Sequence, residues 1–131
     1  MNISGNCRYT KDHLWVKPEG NEAIIGLSDY LQSELGEVIF VDLPDVEDDI
    51  EITGTFGIIE STLTVSDMTA PVTGTVLRIN KDLEGEPELI NEDPYGDGWL
   101  IRVQLDDPQQ IDFLMTPEEY EEYIADLVLE D

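Results

Sequence analysis

The side chains that carry most enzyme chemistry are scarce in this sequence. Among its 131 residues there is one histidine, His13, and one cysteine, Cys7. Neither has an evident partner for nucleophilic or acid–base catalysis, and no zinc-binding spacing is present. We expect His13 to be a surface or packing residue on a strand. We expect Cys7 to be an incidental thiol in a loose N-terminal segment, because a single cysteine cannot form an internal disulfide.

Carboxylates are abundant, and they could in principle serve as acid–base pairs or as Ca²⁺ ligands. The run Asp45 to Asp49 lacks the glycine and the spaced oxygen ligands of an EF-hand, so it predicts a solvated loop. Glu60 and Asp67 remain the pair to which an enzyme interpretation would assign hydrolytic or metal chemistry. The glycines never precede a Lys-Ser/Thr pair, so no nucleotide-binding loop is predicted.

The charge balance limits the kinds of ligand. With 31 acidic and 6 basic side chains the net charge is −25, which argues against nucleic acid and anionic membranes as partners. Two explanations of the acidity stay open: solubility in a very salty cytoplasm, or steering toward basic patches on protein partners. Ten acidic residues and no Lys or Arg follow Arg102, which predicts an acidic C-terminal face.

The length and the apolar pattern predict one soluble domain. A chain of 131 residues with 40% hydrophobic residues can close one core, expected over about residues 8–126. No stretch reaches the length of a membrane span, and residues 1–8 lack the apolar core of a signal peptide. We therefore expect a cytoplasmic monomer consisting of a single domain, residues 1–131.

Short strands dominate the predicted elements. A turn at Pro18 to Asn21 predicts a hairpin, and Ser28 and Gly36 are suited to begin and end a short helix. The predicted strands are His13 to Lys17, Ala23 to Leu27, Val38 to Leu43, Ile50 to Ile52, Phe56 to Glu60, Thr73 to Asn80 and Trp99 to Leu105. Gly85 to Gly98 is predicted to be a loop.

A C-terminal helix is predicted from its capping signals. Thr116 can cap it, Pro117 suits its first position, and Glu119 can close a capping box. Apolar residues recur on one face at helical spacing: Tyr120, Tyr123, Ile124, Leu127 and Val128. Short strands with one terminal helix predict a β sandwich or barrel.

The segment Gly57 to Gly74 resembles a lipoyl or biotinyl hairpin, in which a lysine at a tight turn carries a swinging cofactor. The chain as a whole resembles the H protein of the glycine cleavage system over about Arg8 to Ile124. The matching blocks, in family order, are Tyr9-Thr10-Lys11, His13, Trp15-Val16, Ile25 to Tyr30, Leu35-Gly36, Phe40-Val41, Leu43-Pro44, Glu60-Ser61, Ser66-Asp67, Ala70-Pro71-Val72, Pro87 to Gly96 and Gly98-Trp99-Leu100.

This resemblance implies a mainly β fold, a flattened lipoyl-type barrel-sandwich hybrid with short helices and a C-terminal helix. It implies a carrier rather than an enzyme, with lipoate as the family's cofactor. The partners it implies are glycine decarboxylase, aminomethyltransferase and dihydrolipoyl dehydrogenase.

The same register places the family's lipoyl-lysine at Leu63, which has no amine. No lipoate is therefore expected on this chain, and the resemblance implies a binding or regulatory homologue in which Leu63 contacts a partner or is a harmless exposed residue. Glu60 matches the glutamate that helps lipoate-attaching enzymes recognise the hairpin. Thr64-Val65 stands where the family usually has Ala-Ala, Thr69 where it has an aromatic or apolar residue, and Glu47 where it commonly has a glycine. These departures favour natural divergence.

The alternative is a working lipoyl carrier of glycine catabolism whose lysine was lost by an allelic or engineered change.

Overall fold

The structure, a computed structural model, describes residues 2–130, and for Glu130 it describes the backbone only. Within that range nine strands and three α-helices are present. The strands are β1 (Arg8–Tyr9), β2 (Leu14–Glu19), β3 (Glu22–Leu27), β4 (Val38–Asp42), β5 (Asp49–Ile50), β6 (Thr55–Ser61), β7 (Val65–Thr69), β8 (Gly74–Ile79) and β9 (Ile101–Leu105). The helices are α1 (Asp29–Leu35), α2 (Leu89–Glu92) and α3 (Pro117–Glu130), with 3₁₀ turns at Lys81–Glu84 and Pro108–Phe113.

The strands form two antiparallel sheets. The larger has the order β1-β2-β3-β9-β8-β5, and the smaller has the order β4-β6-β7. Apolar side chains from both sheets form the main core, among them Val16, Ile25, Ile59, Val76 and Val103. The prediction of a mainly β fold with short helices is confirmed, but across residues 2–130 the two sheets stay separate and do not close into one barrel.

The first hairpin and the first helix follow their local sequence signals. Strands β2 and β3 meet at a tight turn in which Gly20 has a φ of 64°, a left-handed conformation that glycine adopts without strain. Ser28 caps α1, because its hydroxyl accepts a hydrogen bond from the Leu31 N–H at 3.2 Å. Gly36 ends the helix with a φ of 79°. Both predictions are confirmed.

The C-terminal helix begins with the predicted capping box. The Thr116 N–H donates to a Glu119 carboxylate oxygen at 2.9 Å, and the Glu119 N–H donates to the Thr116 hydroxyl at 3.2 Å. Tyr120 and Ile124 are buried against the sheet, as predicted. Val128 is exposed instead.

A second core contains the cysteine that the sequence placed in a loose segment. Cys7 is buried in a mainly aromatic cluster with Tyr9, Trp15, Tyr120 and Ile124, and the rings of Tyr9 and Tyr120 stack 4.3 Å apart. Burial raises the pKa of the Cys7 thiol above its ordinary value. The expectation of a loose N-terminal segment was therefore wrong at this residue.

Three other expectations need correction. The segment Gly85 to Gly98 contains α2, with Ile90 completely buried, rather than loop throughout. Strand β5 stops at Ile50, shortly before Thr53 takes a left-handed φ of 71°. His13 also has a φ of 71° and lies in the turn before β2 rather than on the strand. No helix within residues 2–130 is both long and apolar enough to cross a membrane.

Candidate functional site

The segment that the sequence singled out forms a hairpin between β6 and β7. Its turn is closed by a backbone hydrogen bond from the Ser61 N–H to the Thr64 carbonyl at 2.8 Å. The Ser61 hydroxyl accepts hydrogen bonds from the backbone N–H groups of Leu63 at 3.1 Å and Thr64 at 3.2 Å. The Thr62 N–H donates to the Glu37 carbonyl at 2.9 Å, so the turn is also fixed to the segment between α1 and β4.

Leu63 lies at the tip of this turn with 72% of its surface exposed. Its isobutyl group leans over Gly36, and a methyl group added there would lie 3.2 Å from Leu63 Cδ1. The side chain is therefore aliphatic and solvent-exposed, and its backbone is held rigidly by Ser61. Such a position presents a residue to whatever approaches the hairpin.

Glu60 and Asp67 both lie on the hairpin, on the outer face of the smaller sheet. Glu60 pairs with Phe40 on one side and Val65 on the other, and in the next outward row Ile58 lies between Asp42 and Asp67. Carboxylates and apolar side chains thus alternate across this surface, which we call the hairpin face and define by Phe40, Ile58, Val65 and the carboxylates Asp42, Glu60 and Asp67.

Three large apolar side chains are exposed on the hairpin face. Phe40 is 52% exposed, Val65 is 63% exposed and Ile58 is also exposed. Two further exposed residues adjoin the hairpin face: Leu63 in the turn between β6 and β7, and Ile39 at a bulge in β4. Exposed aromatic and aliphatic side chains beside charged groups also occur at protein-binding surfaces, where aromatic residues are enriched. The arrangement is suited to a partner that offers apolar groups and cations together.

The enzyme interpretation finds little geometric support. Glu60 and Asp67 are not directly opposite each other across β6 and β7. Glu60 pairs with the apolar Val65, and Asp67 pairs with the apolar Ile58. Among residues 2–130 there is no group of three or more His, Cys, Asp or Glu side chains placed to hold one metal ion. The two carboxylates are arranged as parts of a surface rather than as a ligand set.

His13 lies beside the hairpin at a cleft of about 280 Å³ that Ser66 and Asp67 also line. Its Nδ1 is 2.9 Å from the Tyr120 hydroxyl, which is itself 2.7 Å from the Ser28 hydroxyl. Burial lowers the pKa of the imidazole below its ordinary value. His13 therefore packs and bonds to α3, consistent with the packing role expected of it.

Sequence reasoning missed the structural roles of two residues that build the site. Ser61 is buried and closes the turn, and Glu37 anchors it through a backbone carbonyl. A serine two residues before the tip is a recognisable turn signal, because its hydroxyl can accept from following N–H groups. Glu37 acts through its backbone carbonyl, which any residue has, so its role could not be predicted from the sequence.

Together, the sheets and the anchored turn define a carrier-type β module, a rigid scaffold that presents one exposed side chain at the end of a hairpin. Comparison with known proteins makes this class specific. The family model described as "Glycine cleavage H-protein" matches residues 7–127.

Curated relatives and a solved structure agree with that family. The chain is 48% identical over 120 residues to the glycine cleavage system H protein of Magnetococcus marinus, covering 92% of this chain and 86% of the relative. It is 45% identical over 126 residues to that of Staphylococcus carnosus, covering 96% of this chain and 100% of the relative. The crystal structure of a glycine cleavage system H protein from Mycobacterium marinum superposes with a TM-score of 0.86 at 33% identity, covering 94% of this chain and 99% of that one.

This chain belongs to the glycine cleavage H-protein family. The family is that of the carrier protein of the glycine cleavage system, which is not itself a catalyst.

Proposed function

We propose that this chain is an H-protein homologue that binds proteins of the glycine cleavage system without carrying lipoate. The observation that supports the proposal is Leu63, an exposed aliphatic residue at the tip of the hairpin. A side chain at the tip of a hairpin is accessible to an approaching partner. Leucine has no reactive or hydrogen-bonding group, so it can contribute to binding only by apolar burial.

The residues of the hairpin do not fit covalent lipoate. Lipoate is held by an amide to a lysine amine, and residues 55–69 contain no lysine. The chain's three lysines lie elsewhere: Lys11 before β2, Lys17 on β2 and Lys81 after β8. We therefore assign no step of the family's group transfer to this chain.

The hairpin face is the surface through which we expect binding. Its apolar side chains contribute burial, and Asp42, Glu60 and Asp67 favour a partner that carries Lys or Arg around an apolar centre. With a net charge of −25, the whole chain is attracted to such a basic surface. Family membership supports glycine decarboxylase, aminomethyltransferase and dihydrolipoyl dehydrogenase as the partners to test.

Intact mass tests the lack of lipoate. The protein is co-produced with a lipoate ligase and lipoate, and the wild-type chain is expected to keep its unmodified mass. A lipoyl-sized increment on the wild-type chain would sink the proposal. The lysine of a conventional H protein, treated identically, is the positive control.

Restoring the lysine tests the second candidate, a working carrier that has lost only one side chain. Retention of Glu60 three residues before the tip favours this candidate. We expect Leu63→Lys alone to remain unmodified because Thr64 and Val65 have also diverged, and we expect modification once both are changed to Ala as well. If Leu63→Lys alone is lipoylated and supports glycine decarboxylation, the second candidate is correct.

Binding to purified aminomethyltransferase and glycine decarboxylase tests the hairpin face. We expect Phe40→Ser to weaken binding by about tenfold or more, as truncation of an interfacial aromatic residue typically does. Phe113→Ser is the matched control, since Phe113 is 89% exposed but lies on the 3₁₀ turn Pro108–Phe113, outside β4 and the two strands of the hairpin. Equal effects of the two changes would argue against this surface.

A further inference from the structure

A row of cations crosses the outer face of the larger sheet, although the chain has only six basic residues. Lys17 pairs with Ile24, Ile24 pairs with Arg102, and Arg102 pairs directly with Arg78, so the row runs over β2, β3, β9 and β8. Like charges directly opposite each other on neighbouring strands destabilise a sheet. Half of the chain's cations therefore lie in this row, and two of them, Arg78 and Arg102, are directly opposite each other.

Neighbouring carboxylates neutralise only part of this row. Arg102 donates from Nε to Glu22 at 2.6 Å and from Nη2 to Glu19 at 2.8 Å, and Lys17 Nζ lies 3.7 Å from Glu19. Those hydrogen bonds raise the pKa of Arg102 further and lower the pKa of Glu19. Arg78 has no ion pair or side-chain hydrogen bond within residues 2–130, so its five N–H donors face solvent.

The cations surround a cavity with aromatic walls. It has a volume of about 290 Å³ and is lined by Trp15, Tyr95 and Trp99 together with Lys17, Arg78 and Arg102. Both tryptophans of the chain are therefore in its wall. Flat rings beside arginines form a surface that is apolar on one side and cationic on the other.

The walls of the cavity are fixed in place by hydrogen bonds and packing. Trp15 is 2% exposed, lies against Gly26 and donates from Nε1 to the Pro94 carbonyl at 3.0 Å. The buried Asn80 amide donates to the Trp99 carbonyl at 2.8 Å and to the Asp97 carbonyl at 2.8 Å. A ligand would therefore lose little free energy in ordering the site.

We propose that this cavity binds a small organic anion with a flat ring, a function beyond docking at the hairpin face. The ring packs against Trp99 and Tyr95, which line the cavity and are partly exposed, and a phosphate or carboxylate group accepts hydrogen bonds from Arg78. Arginine forks suit both anionic groups. Glu19 and Glu22 already neutralise part of the charge of Lys17 and Arg102, which leaves Arg78 as the group that binds the anion. Acidic side chains farther away oppose binding less, because at physiological salt their field falls off over about 8 Å.

Tryptophan fluorescence tests the site directly, because both indoles line it. The full-length protein is titrated with phenyl phosphate and with benzoate, which share a ring and differ in the anionic group. We expect a saturable change in emission with at least one of them, at a dissociation constant of about 1 mM or tighter. Which of the two binds more tightly identifies the anionic group.

Inorganic phosphate and benzyl alcohol are the component controls, and each is expected to bind more weakly than the better of the two ring-bearing anions by about tenfold or more. Arg78→Gln is expected to weaken binding about tenfold, the value of one charge-assisted contact. Lys11→Gln removes the same charge outside the cavity and is expected to change binding by less than about twofold. Arg78 is exposed, so both variants should fold, and circular dichroism checks that they do.

Three results would overturn the proposal. One is the lack of saturation with both ring-bearing anions. Another is an equal weakening by Arg78→Gln and Lys11→Gln, which would indicate a general charge effect. The last is binding of inorganic phosphate as tight as that of phenyl phosphate, which would remove the role of the aromatic walls.

Discussion

Glu47 has a backbone conformation that its side chain disfavours. Its φ is 80°, in the left-handed region, and the sequence resemblance places a glycine at this position. A non-glycine residue there costs about 1–2 kcal/mol, partly offset because glycine has more freedom in the unfolded chain. We expect Glu47→Gly to be more stable than Glu47→Gln by about 0.5–1 kcal/mol in urea unfolding.

The glutamine variant is the matched control, because both changes remove one negative charge and only the glycine relieves the backbone. Equal free energies of unfolding for the two variants would mean that Glu47 bears no strain. Either result leaves the hairpin face unaltered, since Glu47 lies in the loop between β4 and β5.

His13 should make the free energy of unfolding depend on pH. Burial lowers its pKa in the folded state, while Asp12 and Glu34 act in the opposite direction. As pH falls through the ordinary histidine pKa of about 6.5, His13 takes up a proton more readily in the unfolded chain than in the folded protein. The contribution of neutral His13 to the free energy of unfolding is therefore present at neutral pH and is lost as pH falls through that value.

His13→Asn isolates this effect from the titration of the many carboxylates. Asparagine tolerates the φ of 71° found here and does not titrate. We expect the stability of the wild-type protein relative to the variant to decrease between about pH 7.5 and pH 5.5. A constant difference across that range, measured by urea unfolding, would contradict the predicted shift.

Among the elements, α2 shows how one polar side chain joins three segments. The side-chain oxygen Oδ1 of Asn91 accepts a hydrogen bond from the Val38 N–H at 2.8 Å. The side-chain nitrogen Nδ2 donates to Gln32 Oε1 at 3.0 Å and to the Gly36 backbone carbonyl at 2.8 Å. The start of β4 and the end of α1, which flank the hairpin's anchor at Glu37, are thereby fixed to α2.

We expect Asn91→Ala to lower the free energy of unfolding by about 2–3 kcal/mol, since partly buried backbone groups lose their partners. Glu92→Ala, at the exposed neighbouring position, should change it by less than about 0.5 kcal/mol. Because Asn91 supports the anchor of the turn, its loss should also increase amide exchange at Thr62 and Leu63. Exchange there equal to that of the Glu92 variant would separate α2 from the hairpin.

The sequence predicted those elements whose signals are local. Ser28, Thr116 and Glu119 are caps that act within four residues, so α1 and α3 were predictable. The helix α2 was not, because its four residues are stabilised by the burial of Ile90 and by Asn91 bonds to residues more than fifty positions away. The same reason hid the burial of Cys7 under the distant α3.

The position of the hairpin turn was predictable, and the residues that surround it were not. Register of the Glu60-Ser61 and Ser66-Asp67 blocks placed Leu63 at the tip, and the structure has it there. The neighbours across the sheet, Phe40 and Asp42, come from β4 and are known only once the strands pair. The row Lys17, Arg102 and Arg78 depends likewise on pairing between strands that are far apart in the chain.

For the molecule as a whole, like charges are concentrated unevenly. Asp42, Glu60 and Asp67 face outward on one sheet, α3 adds Glu118, Glu119, Glu121 and Glu122, and few ion pairs offset them: within residues 2–130 these are three contacts, all involving Lys17 or Arg102. Folding brings these carboxylates closer together than they are in the unfolded chain, so self-repulsion destabilises the compact state.

Added salt should therefore stabilise this protein. Screening shortens from about 30 Å at 0.01 M ionic strength to about 3 Å at 1 M, which removes most repulsion between exposed carboxylates. We expect the thermal midpoint to rise by about 5 °C or more over that range, corresponding to roughly 1 kcal/mol or more for a domain of this size. Sucrose at matched osmolality controls for solvent effects other than screening.

The shape of the salt response separates the two explanations of the acidity. If the charge serves partner docking, stability should level off near physiological salt, while association with aminomethyltransferase should slow steadily as salt increases. If it serves a very salty cytoplasm, the thermal midpoint should keep rising into the molar range and association should tolerate that salt. A midpoint that does not change with salt would contradict both explanations, because it would mean that the 31 acidic side chains do not repel one another enough to matter.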